Sequence, residues 1–151
     1  MRGLMIAAVA CVLGAWGCAS GEPEPPGNGT EGGAVGEGLA SSLNVQVEGD
    51  TVRFTLLLSN AAGTAQVLEY ATAQRTDFVV ETPGGEVVWQ WSAEMGFAQM
   101  LGADTIAAGA SREYEAEWVP VGRTGRHIAV GRVTSRNTPI ELRTEFEIPE
   151  R

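Results

Sequence analysis

Residues 43–58 read "LNVQVEGDTVRFTLLL", and this stretch decides the fold. Apolar and polar residues alternate on both sides of Gly49-Asp50, a pair that favours a two-residue hairpin loop. A loop of that length brings three apolar pairs to one face of the hairpin. These pairs are Val47 with Val52, Val45 with Phe54, and Leu43 with Leu56. The stretch therefore predicts an antiparallel hairpin with one buried face.

The alternation continues along most of the remaining chain. We predict further strands over residues 66–71, 77–82, 86–91, 111–118, 126–134 and 140–148. Residues 92–110 lack this alternation and leave room for a short helical turn. Many short strands at this spacing favour an all-β fold, namely an antiparallel immunoglobulin-like β-sandwich of about eight strands. A closed barrel is the alternative.

Large apolar side chains on these strands predict the core. Val87, Trp89 and Trp91 share one face of their strand. We expect this face to meet Phe78 and Val80 across a hairpin. The tryptophans expected in the core are Trp89, Trp91 and Trp118.

The first 17 residues have the form of a signal peptide. Arg2 supplies a positive charge, and the apolar run over residues 4–13 follows it. That run is too short to span a bilayer as a helix, which needs about 20 residues. Small residues precede Cys18 and resemble a bacterial lipobox, so we expect a lipid on Cys18. The alternative is an ordinary secretory signal that releases the protein.

The expected location follows from the segments after the leader. Residues 18–38 hold the lipid-bearing cysteine and a Gly-, Pro- and Glu-rich stretch, which we expect to be a disordered tether. Residues 39–151 form the domain. The product is then lipid-anchored in the cell envelope through Cys18. Because Ala19 rather than Asp follows the cysteine, a Gram-negative cell would sort it to the outer membrane.

Composition and motifs disfavour several classes of function. The chain has a net charge of −9, which the phosphates of nucleic acid repel, so we expect no nucleic-acid partner. The single histidine, His127, lies in a predicted strand, and the domain has no cysteine and no hydrolase motif. Glu113, Glu115 and Glu117 recur at period two, which indicates a solvated strand face rather than a cation site. We therefore expect no catalytic residues, metal or cofactor, and a binding or inhibitory domain rather than an enzyme.

One stretch is more specific than strand patterning. Residues 76–99, "TDFVVETPGGEVVWQWSAEMGFAQ", resemble the signature of the intracellular proteinase inhibitor family, the BsuPI-type domain. The signature positions are Asp77, Phe78, Gly85, Val88, Trp89, Trp91, Ser92, Phe97 and Gln99. The resemblance extends over about residues 43–148. His127 departs from it, standing where the family usually has an aromatic residue. Asp77 is expected to anchor a turn by accepting hydrogen bonds from backbone N–H groups.

The resemblance implies an immunoglobulin-like sandwich and inhibition of a subtilisin-type serine protease. The founding members act in the cytoplasm, whereas this chain carries an export leader, so its target would be an envelope or external protease. Within the loop 92–110 we expect a protease contact at Met95, Phe97, Met100 and Leu101. The alternative for this loop is that Phe97 and Leu101 close one end of the sandwich. The alternative function is a non-inhibitory envelope binding or assembly module.

Overall fold

The computed structural model describes residues 29–32 and 38–150. The predicted leader and Cys18 lie outside these residues. The strands are β1 (Gly29–Gly32), β2 (Leu39–Glu48), β3 (Thr51–Asn60), β4 (Gln66–Tyr70), β5 (Thr76–Glu81), β6 (Val87–Gln90), β7 (Gly102–Ile106), β8 (Ser111–Trp118), β9 (Gly125–Val133) and β10 (Ile140–Ile148). A short 3₁₀ helix spans Trp91–Glu94, and the described residues contain no α-helix. None of the described helical structure is long and apolar enough to cross a bilayer.

The predicted first hairpin is confirmed in its register. Strands β2 and β3 pair Val47 with Val52, Val45 with Phe54, and Leu43 with Leu56. Gly49 has a φ of 58°, a left-handed conformation that suits the tight turn. The apolar faces of both strands are buried, so turn chemistry and alternation act together.

Two antiparallel sheets form the sandwich. One sheet has the strand order β1-β2-β3-β8, and the other has the order β10-β9-β5-β6. Strands β4 and β7 form a separate two-stranded ladder. This arrangement confirms the antiparallel immunoglobulin-like sandwich and disfavours the closed barrel.

Two strands were not predicted, so the described residues contain ten strands rather than about eight. Strand β7 has little apolar alternation and is held mainly by backbone pairing with β4. Strand β1 lies inside the predicted tether, where it pairs with β2 from Ser42 to Val45. These four residues form a strand without apolar alternation, because backbone hydrogen bonds to a sheet edge require no apolar side chain. The rest of the tether before Gly38 lies outside the described residues.

Aromatic rings join the two sheets. Trp89 stacks on Phe54 at 5.5 Å and on Trp118 at 6.0 Å between ring centroids. Trp118 is buried, as predicted. Trp89 and Trp91 pack against the core but are only partly buried, because Trp89 lies on the edge strand β6 and Trp91 follows it in the 3₁₀ helix.

The predicted placement of Val87 on the core face is wrong. A register shift between Val80 and Glu81 places Val87 opposite Glu81, while Trp89 stays opposite Val80. The irregularity turns Val87 outward, leaving it 53% exposed. Trp91 has left the strand and begins the 3₁₀ helix, so the three residues do not share one strand face.

The connections gather at two ends of the sandwich. The hairpin end contains the turn Gly49-Asp50, the segment 119–124 and Pro149, which line one cleft. The loop end contains the segment 91–101, the β4–β7 ladder and the turn 134–139. Strand β2 runs from the loop end to the hairpin end, so the two groups of connections lie at opposite ends.

Candidate functional site

A buried carboxylate on β5 anchors the start of the predicted contact loop. Asp77, 5% exposed, accepts a hydrogen bond at Oδ1 from the Ser92 backbone N–H at 3.1 Å. Its Oδ2 accepts bonds from Ser92 Oγ at 2.8 Å and from Gln90 Nε2 at 2.7 Å. These bonds fix the 3₁₀ helix, which has no side-chain cap of its own. The expected anchoring role of Asp77 is thereby confirmed.

The middle of the loop is held at a second point. The Ala98 carbonyl accepts a hydrogen bond from the Ala73 N–H at 2.9 Å and another from the Met100 N–H at 3.0 Å. Between the two anchors, the Phe97 ring packs on Trp91 with centroids 5.9 Å apart. The loop is therefore fastened to β5 and to the connection that precedes it.

Three of the four predicted contact residues project into solvent. Met95 is 45% exposed, Met100 61% and Leu101 74%. Phe97 is partly buried against Trp91, as the alternative reading of this loop expects. The same reading is wrong for Leu101, which does not close the end of the sandwich. The structure thus places an apolar surface on a loop with fixed flanks.

Arg75 links the base of this loop to the β4–β7 ladder. Its Nε lies 3.0 Å from Asp104 Oδ2, and its Nη1 donates to the Thr72 carbonyl at 2.9 Å. The guanidinium also lies 4.3 Å from the centroid of the Tyr70 ring. A Cβ at Gly102 would come within 2.7 Å of Arg75 Nη2, so a larger residue there would displace the end of the Arg75 side chain. Sequence reasoning missed Arg75, since its partners come from separate segments and no local motif marks them.

Tyr70 is the buried titratable group nearest this linkage. It is 1% exposed, and its hydroxyl lies 3.5 Å from that of Tyr114. Burial raises the pKa of Tyr70 above its ordinary value, and the hydrogen bond with Tyr114 acts in the same direction. The ring therefore stays neutral and serves as a packed platform for Arg75.

The turn 134–139 fixes the other side of the loop end. The Arg136 N–H donates to the Glu69 carbonyl at 2.7 Å. Asn137 donates from Nδ2 to the Val67 carbonyl at 2.7 Å and accepts at Oδ1 from the Glu69 N–H at 2.9 Å. Strand β4 is thus held to the β9–β10 connection by these hydrogen bonds.

The hairpin end carries a different surface, which the sequence did not indicate. Its cleft has a volume of about 430 Å³. Val119 and Val121 on its rim are 55% and 85% exposed. Behind it, His127 is 5% exposed, with its ring near Trp118 and Phe146 and its Nδ1 3.0 Å from the Gly125 carbonyl. These contacts give His127 a packing role.

Acidic residues on β8 face solvent as predicted. Glu113, Glu115 and Glu117 are all exposed. Glu117 pairs with Arg53 at 3.0 Å. Over residues 29–32 and 38–150, no three His, Cys, Asp or Glu side chains come together as metal ligands would.

Comparison with solved structures finds similar chains, among them two structures of β-glucosidase 3B from Thermotoga neapolitana. The complex with glucose is 20% identical with a TM-score of 0.41, covering 72% of this chain and 15% of that chain. The complex with alpha-D-glucose is also 20% identical with a TM-score of 0.41, covering 82% of this chain and 16% of that chain. This chain therefore spans about one sixth of the length of that enzyme. Comparison with curated proteins finds no match.

Comparison with protein families gives one result that covers most of the sandwich. A family model described as intracellular proteinase inhibitor, BsuPI, matches residues 39–138. The match includes both anchors of the contact loop, Asp77 and Ala98, and extends over more than half of the chain. The chain therefore belongs to the intracellular proteinase inhibitor (BsuPI) family.

Proposed function

We propose that this chain is an exported, membrane-tethered inhibitor of a subtilisin-type serine protease, and that residues 95–101 enter the cleft of that protease. Membership of the family supports inhibition of a proteinase in general. The observation that carries the proposed contact is the exposure of Met95, Met100 and Leu101 on a loop anchored at Asp77 and Ala98.

Anchoring favours tight binding, because a loop that is already ordered loses little conformational entropy in a complex. Met95 has extended backbone angles, with φ of −108° and ψ of 142°. An extended segment can pair its main chain with the edge of a protease cleft while alternate side chains fill pockets. Burial of a methionine side chain contributes about 1.5–3 kcal/mol, so two such residues supply a useful part of the affinity.

The two anchors also affect what happens if the protease cleaves the loop. The Ser92 side of the loop is held by Asp77, and the Ala98 side is held independently by Ala73. A single cut between them leaves both ends attached to the domain. The cleaved termini then stay close together, which slows release and favours an inhibitor over a substrate.

Export and tethering are supported by the sequence pattern before the domain. A charged residue, a short apolar run and small residues before Cys18 are typical of a lipoprotein leader. The proposed target is therefore a protease of the envelope or the exterior. Mass spectrometry of the native product tests this part. A mature N-terminus at a diacylated Cys18 supports it, whereas an unprocessed chain in the cytosol contradicts it.

Inhibition is tested by titrating the soluble chain, starting at Cys18, against a panel of subtilisin-type proteases. We expect stoichiometric inhibition of at least one protease. Absence of inhibition across the panel, with the chain itself left intact, contradicts the proposal and favours the non-inhibitory envelope module.

The contact loop is tested by the double variant Met95→Asp and Met100→Asp. Both side chains are exposed, so the fold is expected to persist, while two charges enter an apolar contact. The loss of about 3–6 kcal/mol of apolar burial predicts an inhibition constant raised at least 100-fold.

The matched control is Val121→Asp, which places a charge on an exposed valine at the opposite end. This variant is expected to inhibit as the parent does. Unchanged inhibition by a folded double variant would exclude the loop, and an equal loss in Val121→Asp would show an effect of charge alone.

A further inference from the structure

Strand β1 determines from which end of the sandwich the preceding chain leaves. The structure pairs Gly32 with Ser42 and Gly29 with Val45 in an antiparallel register. Strand β2 runs from the loop end, where Leu39 pairs with Asn60, to the hairpin end at Glu48. Followed backwards from Gly32 to Gly29, the chain therefore runs toward the hairpin end.

The start of β2 gives the opposite direction. Leu39 lies at the loop end, and the Gly38 carbonyl accepts a hydrogen bond from the Ala61 N–H there at 2.9 Å. If β1 did not pair with β2, a tether attached to Gly38 would begin at the end that carries Met100 and Leu101. Strand β1 thus reverses the exit of the tether along the edge of the first sheet.

We propose that β1 is a positioning element that presents the contact loop away from the anchored N-terminus. This inference rests on the proposed function for its purpose, since it concerns access of a protease to residues 95–101. Gly29 pairs with Val45, six residues after Leu39, so β1 moves the exit of the tether about 20 Å along β2 from the loop end, at about 3.3 Å per residue. That displacement separates the loop from the exit of the tether and keeps the loop clear of the membrane.

The tether is short enough for this direction to matter. Ten residues, 19–28, separate Cys18 from β1. Ten residues reach at most about 35 Å even when fully extended, which is about the length of β2. A domain leaving its tether at the loop end would hold Met100 near the lipid headgroups, where a protease would have little room to dock.

The orientation is measured on a soluble chain that starts at Cys18, which is then the only cysteine. The buried core lies between residues 39 and 148, so this chain retains it. A second spin label is placed through Met100→Cys at the loop end or Val121→Cys at the hairpin end. Double electron–electron resonance then gives the two distances from Cys18. We expect the mean distance to residue 121 to be shorter by up to about 10 Å, because Val45 lies three residues from the hairpin end of β2 and six from its loop end.

Two deletions of equal length provide the control. Removal of residues 29–32 deletes β1 and is expected to reverse the order of the two distances. Removal of residues 21–24 shortens the tether equally and is expected to preserve the order. Equal distances in the parent chain, a shorter distance to residue 100, or the same order after deletion of β1 would each overturn the inference.

The measurement is independent of lipidation and of protease binding. If the chain shows the expected distances but inhibits no protease, the proposed orientation is supported and the proposed function is contradicted. If the chain inhibits its protease but shows the opposite order of distances, the proposed function is supported and the proposed orientation is contradicted.

Discussion

At the scale of single residues, Asp77 has the largest local effect on the candidate site. One buried carboxylate satisfies the backbone and hydroxyl of Ser92 and the amide of Gln90. Asp77 and Ser92 are both part of the stretch that resembles the inhibitor family. Their contact gives that resemblance a physical reason, because it fixes the point at which the chain leaves β6 and enters the loop.

Replacement Asp77→Ala is expected to lower the free energy of unfolding by about 2–3 kcal/mol, because it leaves part-buried donors without an acceptor. Asp77→Asn keeps the size of the side chain but sets an amide donor against these donors, so the change has the same sign. Urea denaturation measures both. The exposed Glu115→Ala is the control and is expected to change stability by less than about 0.5 kcal/mol. A stable Asp77→Ala variant would show that the anchor is dispensable.

Tyr70 predicts a dependence of stability on alkaline pH. Burial raises the pKa of Tyr70 in the folded chain, whereas an unfolded tyrosine ionises near pH 10. As the pH rises above about 10, the unfolded chain loses this proton and the folded chain does not. The stabilisation present below pH 10 is therefore lost at up to about 1.4 kcal/mol per pH unit.

The variant Tyr70→Phe removes this group and keeps the ring under Arg75. We expect its free energy of unfolding to fall less than that of the parent between pH 9 and pH 11. Urea denaturation at the two pH values provides the comparison. An identical fall in both proteins would show that Tyr70 does not contribute.

At the scale of strands, close contact between the sheets depends on a glycine in β9. A Cβ at Gly131 would lie 2.7 Å from Leu56 Cδ1 and 3.0 Å from Leu43 Cδ1. These leucines belong to the first hairpin, so the glycine lets β9 approach the opposite sheet. Real Cβ atoms need more room than this, and a substitution must push the sheets or the leucines apart.

Substitution Gly131→Ala is expected to cost about 1–3 kcal/mol of stability through overpacking. Its control is Gly63→Ala in the turn after β3, where an added Cβ meets nothing within 4 Å. Chemical denaturation of the two variants gives the difference. Equal stability of Gly131→Ala and the parent would indicate that the core adapts without strain.

The same scale shows what local sequence can predict. The β2–β3 register could be predicted from the two-residue turn Gly49-Asp50 and from the alternation of apolar and polar residues. Both signals lie within the 16 residues 43–58. The sandwich followed from eight such segments. Strand β7 did not, since its residues 102–106 have little apolar alternation and pair with a distant segment. The outward turn of Val87 depends on an irregularity that only the paired strands reveal.

The candidate site was predictable in part for the same reason. Met95, Met100 and Leu101 stand in a stretch without alternation, which indicated a loop. Their exposure and the anchors at Asp77 and Ala98 depend on contacts between segments far apart in sequence. Arg75 belongs to that second class, because its partners Asp104 and Tyr70 meet only in the folded ladder.

At the scale of the whole molecule, the two ends of the sandwich have different roles in this account. The loop end carries exposed apolar residues, which we propose contact a protease, and β1 begins at Gly29 near the hairpin end. Family membership indicates proteinase inhibition as the class of activity, and we propose the contact loop as the surface that carries it. The central claim is that the domain acts by occupying the substrate cleft of its target.

That claim is tested most directly by calorimetric titration of the soluble chain against a protease that it inhibits. One sample has a free cleft, and in the other a covalent peptide inhibitor occupies the cleft. The account predicts one-to-one binding to the free protease and affinity at least 100-fold weaker for the blocked protease. Equal affinity for the two forms would contradict it, because the domain would then bind outside the cleft.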